Sequence, residues 1–300
     1  MTITRRHILQ ASAAMIGMTA ASRVWALTEA SFGDMTVRSL SDGHLVLPRA
    51  MLLPEGVDAA VADPILEAAG VTGAQFESPI NVTLMERGSD KVLFDAGSGP
   101  DFMPTAGKLI EAIEALGLTP EDITHVVFTH AHPDHIWGVL DDFDEPLFPS
   151  AAYFIGQVER DYWMDPATMD SIAPDRQSFV AGAQRRIEAL GDALQVFADG
   201  HEILPGLRAV MTPGHTPGHT SFDLGEVMVI GDAIGNAHLA FARPDLPSGS
   251  DQDQRLGIET RIKLLNQLAD SGQTIVGYHL PDGGIGTVQR DGDVFSFVPS

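Results

Sequence analysis

The sequence has no cysteine among its 300 residues. Disulfides, thiolate-bound zinc and cysteine nucleophiles are therefore excluded. Basic residues are scarce: 18 Lys and Arg stand against 41 Asp and Glu, for a formal net charge of -23. Such a chain repels polyanions and shows no basic stripe, which argues against nucleic acid and anionic membrane surfaces as partners. An acidic surface steers no anion inward, so an uncharged small molecule is the favoured substrate. No apolar run reaches the ~20 residues that cross a bilayer. No serine sits in a G-x-S-x-G turn and no G-x-x-x-x-G-K-[ST] loop occurs, which removes a serine hydrolase and a phosphate-loop enzyme. No repeat, low-complexity block or linker divides the chain. What remains, with 44% hydrophobic and 20% charged residues, has the composition of a globular enzyme and enough length for a large core.

Residues 1–26 read as an export signal rather than as fold. Arg5-Arg6 precede the small and apolar stretch Ala11 to Ala21, and Val24-Trp25-Ala26 offers a cleavage site. Paired arginines ahead of such a run resemble a twin-arginine signal. Ile8 and Gln10 depart from its commonest form, which keeps a general secretory signal as the alternative. The expectation is a periplasmic or secreted protein with residues 27–300 as one domain.

The chain is organised around Thr129-His130-Ala131-His132-Pro133-Asp134-His135. This stretch follows Val126-Val127-Phe128, a short β-branched and aromatic run that reads as a buried strand. Alternation in extended chain points His130 and His132 to one side, while Asp134 and His135 follow where the backbone turns. Imidazole and carboxylate without thiolate suit zinc, with manganese, iron or cobalt as alternatives. Further along, Asp232 and His279 each follow an apolar strand, and His215 stands in a Pro/Gly loop after another. Polar groups delivered at corresponding strand ends converge on one edge of a sheet.

Elsewhere the patterning predicts a first strand over Met35–Leu40 with Ser41-Asp42-Gly43 as its turn, then a long arm over 48–80 with a helical piece near Pro64–Ala69. A hairpin is expected over 81–86 and 91–95. Asp95 at its end either caps a turn or orients a ligand histidine. Helices are expected over 109–116, 158–163, 177–190 and 255–269, and strands over 152–155, 194–197, 207–211, 227–230 and 274–278. His44 beside a turn reads as a surface histidine.

H-x-H-x-D-H at 130–135, Gly214-His215-Thr216, Gly231-Asp232 and the strand-end His279 resemble the metallo-β-lactamase superfamily from about Met35 to the end. The resemblance implies an α/β fold, the αββα sandwich, with two metal ions in a cleft along its sheet edges. By matching positions it implies that His130, His132 and His215 hold one ion and Asp134, His135 and His279 the other, with Asp232 between them. His219 repeats the P-G-H context and takes a supporting position. Leu40-Ser41-Asp42-Gly43, Asp95-Ala96-Gly97 and His279-Leu280-Pro281 are similar to the methyl parathion hydrolase-like exported enzymes. That likeness implies an aromatic leaving-group pocket at Phe102, Trp163 and Phe179, and a homodimer.

Two divalent ions ~3.5–4 Å apart bring a shared water to hydroxide near neutral pH. Asp134 and Asp232 are both candidates to take up its proton. The expected function is dinuclear metal-dependent hydrolysis of a neutral, partly apolar ester, phosphotriester or lactone. The nearest rival is an acyl-homoserine lactone lactonase, which needs a long apolar groove where an aryl phosphate needs a compact aromatic pocket. A periplasmic metal-binding protein without turnover is the rival from another class.

Overall fold

The computed structural model describes residues 28–54 and 56–300, so the export-signal expectation for 1–26 lies outside the described residues. Runs such as Val126-Val127 and Met228-Val229-Ile230 lack polar alternation because both their faces are covered. They are central strands of two seven-stranded mixed sheets. The first sheet holds β1 (Thr28–Phe32), β2 (Met35–Pro48), β3 (Gln75–Arg87), β4 (Asp90–Phe94), β5 (His125–Val127), β6 (Ala152–Gly156) and β7 (Leu194–Phe197) in that order. The second holds β8 (Glu202–Leu204), β9 (Leu207–Met211), β10 (Thr220–Asp223), β11 (Val227–Gly231), β12 (Thr274–Gly277), β13 (Ile285–Asp291) and β14 (Val294–Pro299), likewise in order.

Helices cover the outer faces. On the first sheet, α2 (Leu109–Ala115), α4 (Gln157–Met164) and α6 (Gln177–Leu190) bury Ile113, Trp163, Val180 and Ile187 against Val126 and Ile155. On the second, α8 (Gln254–Ser271) buries Leu264, Leu265 and Leu268 against Ile230 and Ile275. Between the sheets, Val37, Phe94 and Val127 meet Phe222, Val229 and Val276. The layers are therefore αββα. Helix α8 has clear ends: the Asp253 carboxylate accepts the Leu256 N–H at 2.9 Å, and Gly272 takes the left-handed φ of 67° that stops it. The remaining helices are α1 (Ala59–Ala68), α3 (Pro133–Ile136), α5 (Pro166–Ser171) and α7 (Leu239–Ala242).

Two expectations are corrected. Strand β2 runs straight through Ser41-Asp42-Gly43, with a register shift between Ser41 and Gly43 where a turn was expected. The bulge turns Asp42 inward, where its carboxylate accepts from Ser98 N and Oγ, Gly107 N, Lys108 N and Leu109 N at 2.7–3.3 Å. The 48–80 arm is shorter than expected, because β3 begins at Gln75. Its helix α1 is capped by Asp58 and packs Leu66 with Leu52 and Leu239. Strands β1, β8, β10, β13 and β14 were not anticipated.

The topology places the chemistry. Parallel pairs β4–β5 and β11–β12 end at the same edge of the sandwich. Asp95, the 130–135 stretch, Asp232 and His279 all leave the carboxyl ends of these four strands. The edges are joined there: the Thr220 N–H donates to Thr129 O at 2.9 Å, and the Asn81 N–H to Tyr278 O at 2.9 Å.

Candidate metal centre and active site

His132 caps α3, and Pro133 starts it, so the turn expected after the H-x-H is a short helix that sets Asp134 and His135 apart from His130 and His132. The loop bearing His215 is docked on the start of α8. Gln252 N–H donates to His215 O at 3.1 Å and Asp253 N–H to Gly214 O at 2.9 Å. Gly214 is required in that loop: its φ is 132°, and a Cβ there would collide with the Gly257 backbone.

All seven histidines and aspartates expected to converge do so. His130 Nε2 lies 3.0 Å from His132 Nδ1, which lies 2.8 Å from His215 Nε2. His279 Nε2 lies 3.2 Å from Asp134 Oδ2, and His135 Nε2 lies 3.5 Å from the same oxygen. Asp232 stands between the two groups, with Oδ2 3.3 Å from His215 Nε2 and 3.2 Å from His279 Nε2, and Oδ1 3.4 Å from His135 Nε2. Three sets of donor atoms, His130/His132/His215, His130/His135/Asp232 and Asp134/His135/His279, each lie within 4.8 Å of one another.

Buried polar atoms are normally hydrogen-bonded. Here Asp134 Oδ2, His135 Nε2 and Asp232 Oδ1 are buried without a hydrogen-bond partner among the described residues, and all three face the centre. Converging ring nitrogens and unpartnered buried oxygens fit cations, not one another. The donor set of five imidazoles and two carboxylates is of the kind that binds zinc and its neighbours.

The far side of each imidazole is also fixed, as metal-bound histidines require. His130 Nδ1 meets Thr129 Oγ1 at 3.0 Å, His135 Nδ1 meets Asp95 Oδ2 at 2.8 Å, and His279 Nδ1 donates to Pro79 O at 2.7 Å. His215 Nδ1 lies 3.4 Å from Asp251 Oδ1, itself paired with Arg261. His132 presents Nδ1 inward, and its Nε2 lies 3.4 Å from the Gln252 side-chain amide. Tyr278 supports the second group: its ring stacks on His135 at 3.8 Å and its hydroxyl donates to Asp134 O at 2.6 Å.

Asp95 thus faces His135 of the donor cluster rather than only capping a turn. Its φ of 68° is a left-handed conformation that aspartate tolerates. It also accepts from Thr129 N at 2.7 Å and Thr129 Oγ1 at 2.8 Å. His219 is not in the donor cluster. Burial and then neighbouring His215 lower its pKa to about 3, and its neutral Nε2 accepts the Asp232 N–H at 2.9 Å. His44 is a half-exposed side chain, as expected.

Above the centre opens a cleft of about 1230 Å³ including its mouth, floored by His132, Asp134, His215, Asp232 and His279. Phe102 and Phe179 line it. Trp163 does not: it is fully buried beneath His132, ring centroids 5.8 Å apart, and its indole N–H donates to Glu159 Oε1 at 2.6 Å. Phe241 likewise lies in the core under α8. The unanticipated wall is aliphatic, made of Leu45, Leu47, Met51 and Leu52 with Phe76 beside them. Arg176 stands at the mouth, its guanidinium donating to Gly249 O at 2.6 Å and Ser250 O at 3.2 Å.

Comparison with known proteins agrees with this architecture. The N-acyl homoserine lactonase AttM of Agrobacterium fabrum is 27% identical over 177 residues, which are 50% of this chain and 61% of that protein. The chain thus spans about three fifths of that relative's length. Among solved structures, the dizinc quorum-quenching lactonase AidC, in complex with a product, N-hexanoyl-L-homoserine, superposes with a TM-score of 0.84. It shares 26% identity, over 91% of this chain and 97% of that one. The hydrolase AbOPH, described as a member of the β-lactamase superfamily, gives 0.83 at 27% identity over the same shares. The family model for the metallo-beta-lactamase superfamily matches residues 76–270, from β3 into α8 and through every donor except His279. With well over half of its length under that model, the chain belongs to the metallo-beta-lactamase superfamily.

Proposed function

We propose that the protein is a dinuclear metal-dependent hydrolase of neutral lactones that carry an apolar acyl chain, of the N-acyl homoserine lactone type. His130, His132 and His215 would hold one ion, Asp134, His135 and His279 the other, with Asp232 shared, and zinc is the proposed metal. Two divalent cations in this position supply an acidified water and a Lewis acid for the carbonyl oxygen. The protein's own part is to orient. Asp95 and Thr129 fix ring rotation, and Asp134 and Asp232 offer carboxylate oxygens to a proton released at the floor. Arg176 keeps N–H donors free for an acyl or amide oxygen, since a guanidinium has five and two carbonyls already tether it.

The observation that carries the substrate reading is the wall. Leu45, Leu47, Met51 and Leu52 give the cleft an aliphatic side in addition to Phe76, Phe102 and Phe179. Burying an acyl chain there gains about 0.8 kcal/mol per methylene. With Trp163 withdrawn into the core, the three-aromatic leaving-group pocket loses one side, which weakens the phosphotriester reading.

The test is metal analysis of the purified protein with kcat/KM for a long-chain acyl lactone, an aryl ester and an aryl phosphotriester, before and after chelation. About two ions per chain and a preference for the lactone are expected. Turnover that survives complete metal removal would overturn the metal reading, and a phosphotriester preference would overturn the substrate reading alone.

A further inference from the structure

Glu159 lies on α4, outside the donor cluster, and its carboxylate is fully buried with no cationic partner at hydrogen-bond distance among the described residues. A buried charge is tolerated only when hydrogen bonds replace its water. Glu159 has four. Oε1 accepts from Ala131 N at 2.9 Å and Trp163 Nε1 at 2.6 Å. Oε2 accepts from Thr216 Oγ1 at 2.7 Å and Gly218 N at 3.0 Å. Ala131 is the residue between His130 and His132, and Thr216 directly follows His215. One carboxylate therefore joins the two loops that supply all three imidazoles of the first group. The approach is close enough that a Cβ on Gly218 would collide with the Glu159 backbone nitrogen.

We propose that Glu159 is a positioning residue that sets the affinity of the His130/His132/His215 group for its ion and leaves the Asp134/His135/His279 group unaffected. The inference rests on the dinuclear reading above. The selectivity follows from the contacts. None of the four donors to Glu159 belongs to Asp134, His135, His279 or a group that orients them, whereas two of the four lie in the backbone or hydroxyl next to a first-group histidine. A glutamine at this position has one acceptor oxygen and an NH2 that would face a donor that cannot turn away, the Ala131 or Gly218 N–H. Part of the clamp then opens.

The experiment is a two-site Zn2+ titration of the full chain against a chromophoric chelator, for wild type and Glu159→Gln, with thermal unfolding of the metal-free forms alongside. Removal of an outer partner of a metal ligand typically costs about 10–100-fold in affinity. Such a loss is expected for one ion only. Placed on a His215→Ala background, Glu159→Gln should add little further loss; on His279→Ala it should act in full. Thr216→Val, which removes a single contact, should give the same selectivity at smaller size if the glutamine variant fails to fold. Equal weakening of both ions, or a lower melting temperature with both affinities intact, would overturn the clamp and leave the dinuclear reading standing. A wild-type protein that binds no ion would overturn both.

Discussion

The two halves of the centre are held from outside by different contacts. His130 and His132 are held neutral: burial, and then the neighbouring imidazoles, keep both well below the ordinary histidine range. Around Asp134, Asp232, His135 and His279 burial opposes every charge, yet the groups charge one another. The two carboxylates hold His135 well above its usual value and lift His279 to about 10, while those imidazoles keep Asp134 and Asp232 below theirs. This half takes its orientation from Asp95, Tyr278 and Pro79. The two loops that carry His130, His132 and His215 are fastened to each other from outside the cluster, by the four hydrogen bonds of Glu159.

The comparison breaks most completely at Asp232, whose two carboxylate oxygens face imidazoles of both halves. Asp232→Ala should weaken both ions, by more than the roughly 100-fold at the top of the range for an outer partner. Turnover of the preferred lactone should fall at least in proportion. Metal content and kcat measured on the same preparation check this, and an Asp232→Ala protein that keeps one tightly bound ion would show that the halves are not joined there.

Asp95 sharpens the contrast next. If Nε2 of His130 faces a metal, its Nδ1–H donates to Thr129 Oγ1, whose own proton is then directed to Asp95 Oδ2. His135 Nδ1 meets the same oxygen. Asp95 is therefore the last acceptor for one histidine of each half. Asp95→Asn should weaken both ions by about 10–100-fold each, where Glu159→Gln weakens one. The titration that tests Glu159 decides this too, and a one-ion effect at Asp95 would mean that the Thr129 relay carries nothing.

How much of this was legible in the sequence depended on whether a residue's role is local. The seven donors were legible because a strand end fixes where the next side chains go, as at Phe128, Gly231 and Tyr278. Asp95 was half legible, its position clear and its partner not. Glu159 left no sign: a carboxylate in Gln157–Met164 reads as a solvated helix face, and only the fold brings Ala131 and Gly218 to it. Trp163 was misread for the same reason, since helical spacing does not say whether an aromatic faces a cleft or the core beneath it. Asp42-Gly43 has the residues of a turn and forms a bulge because the inward carboxylate finds five donors supplied by residues 98–109. Strands β10, β13 and β14 are short or half-polar, and pairing with neighbours rather than their own pattern holds them.

Asp42 gives the smallest expected effect and the cleanest control on the comparison. Like Glu159 it is a buried carboxylate with no cationic partner among the described residues, and burial raises its pKa against the pull of its hydrogen bonds from Ser98, Leu109 and Gly107. It fastens residues 98–109 to the bulge in β2, and Gly97 packs so closely that a Cβ there would lie 2.8 Å from its Cγ. No donor to Asp42 adjoins one of the seven converging residues; it is linked to the centre through the backbone from Ser98 to Asp95. If hydrogen-bonded burial alone were enough to tune a metal site, Asp42→Asn would act as Glu159→Gln does. The contacts predict otherwise. Leaving buried donors unmatched should cost about 1–3 kcal/mol of stability, read by denaturant unfolding of the metal-free protein. Any change in ion affinity should be smaller than that of Asp95→Asn and fall on both ions alike, because Asp95 serves both. A selective loss of one ion in Asp42→Asn would mean that the two halves are tuned through the scaffold as a whole and not by the side chains that touch their loops.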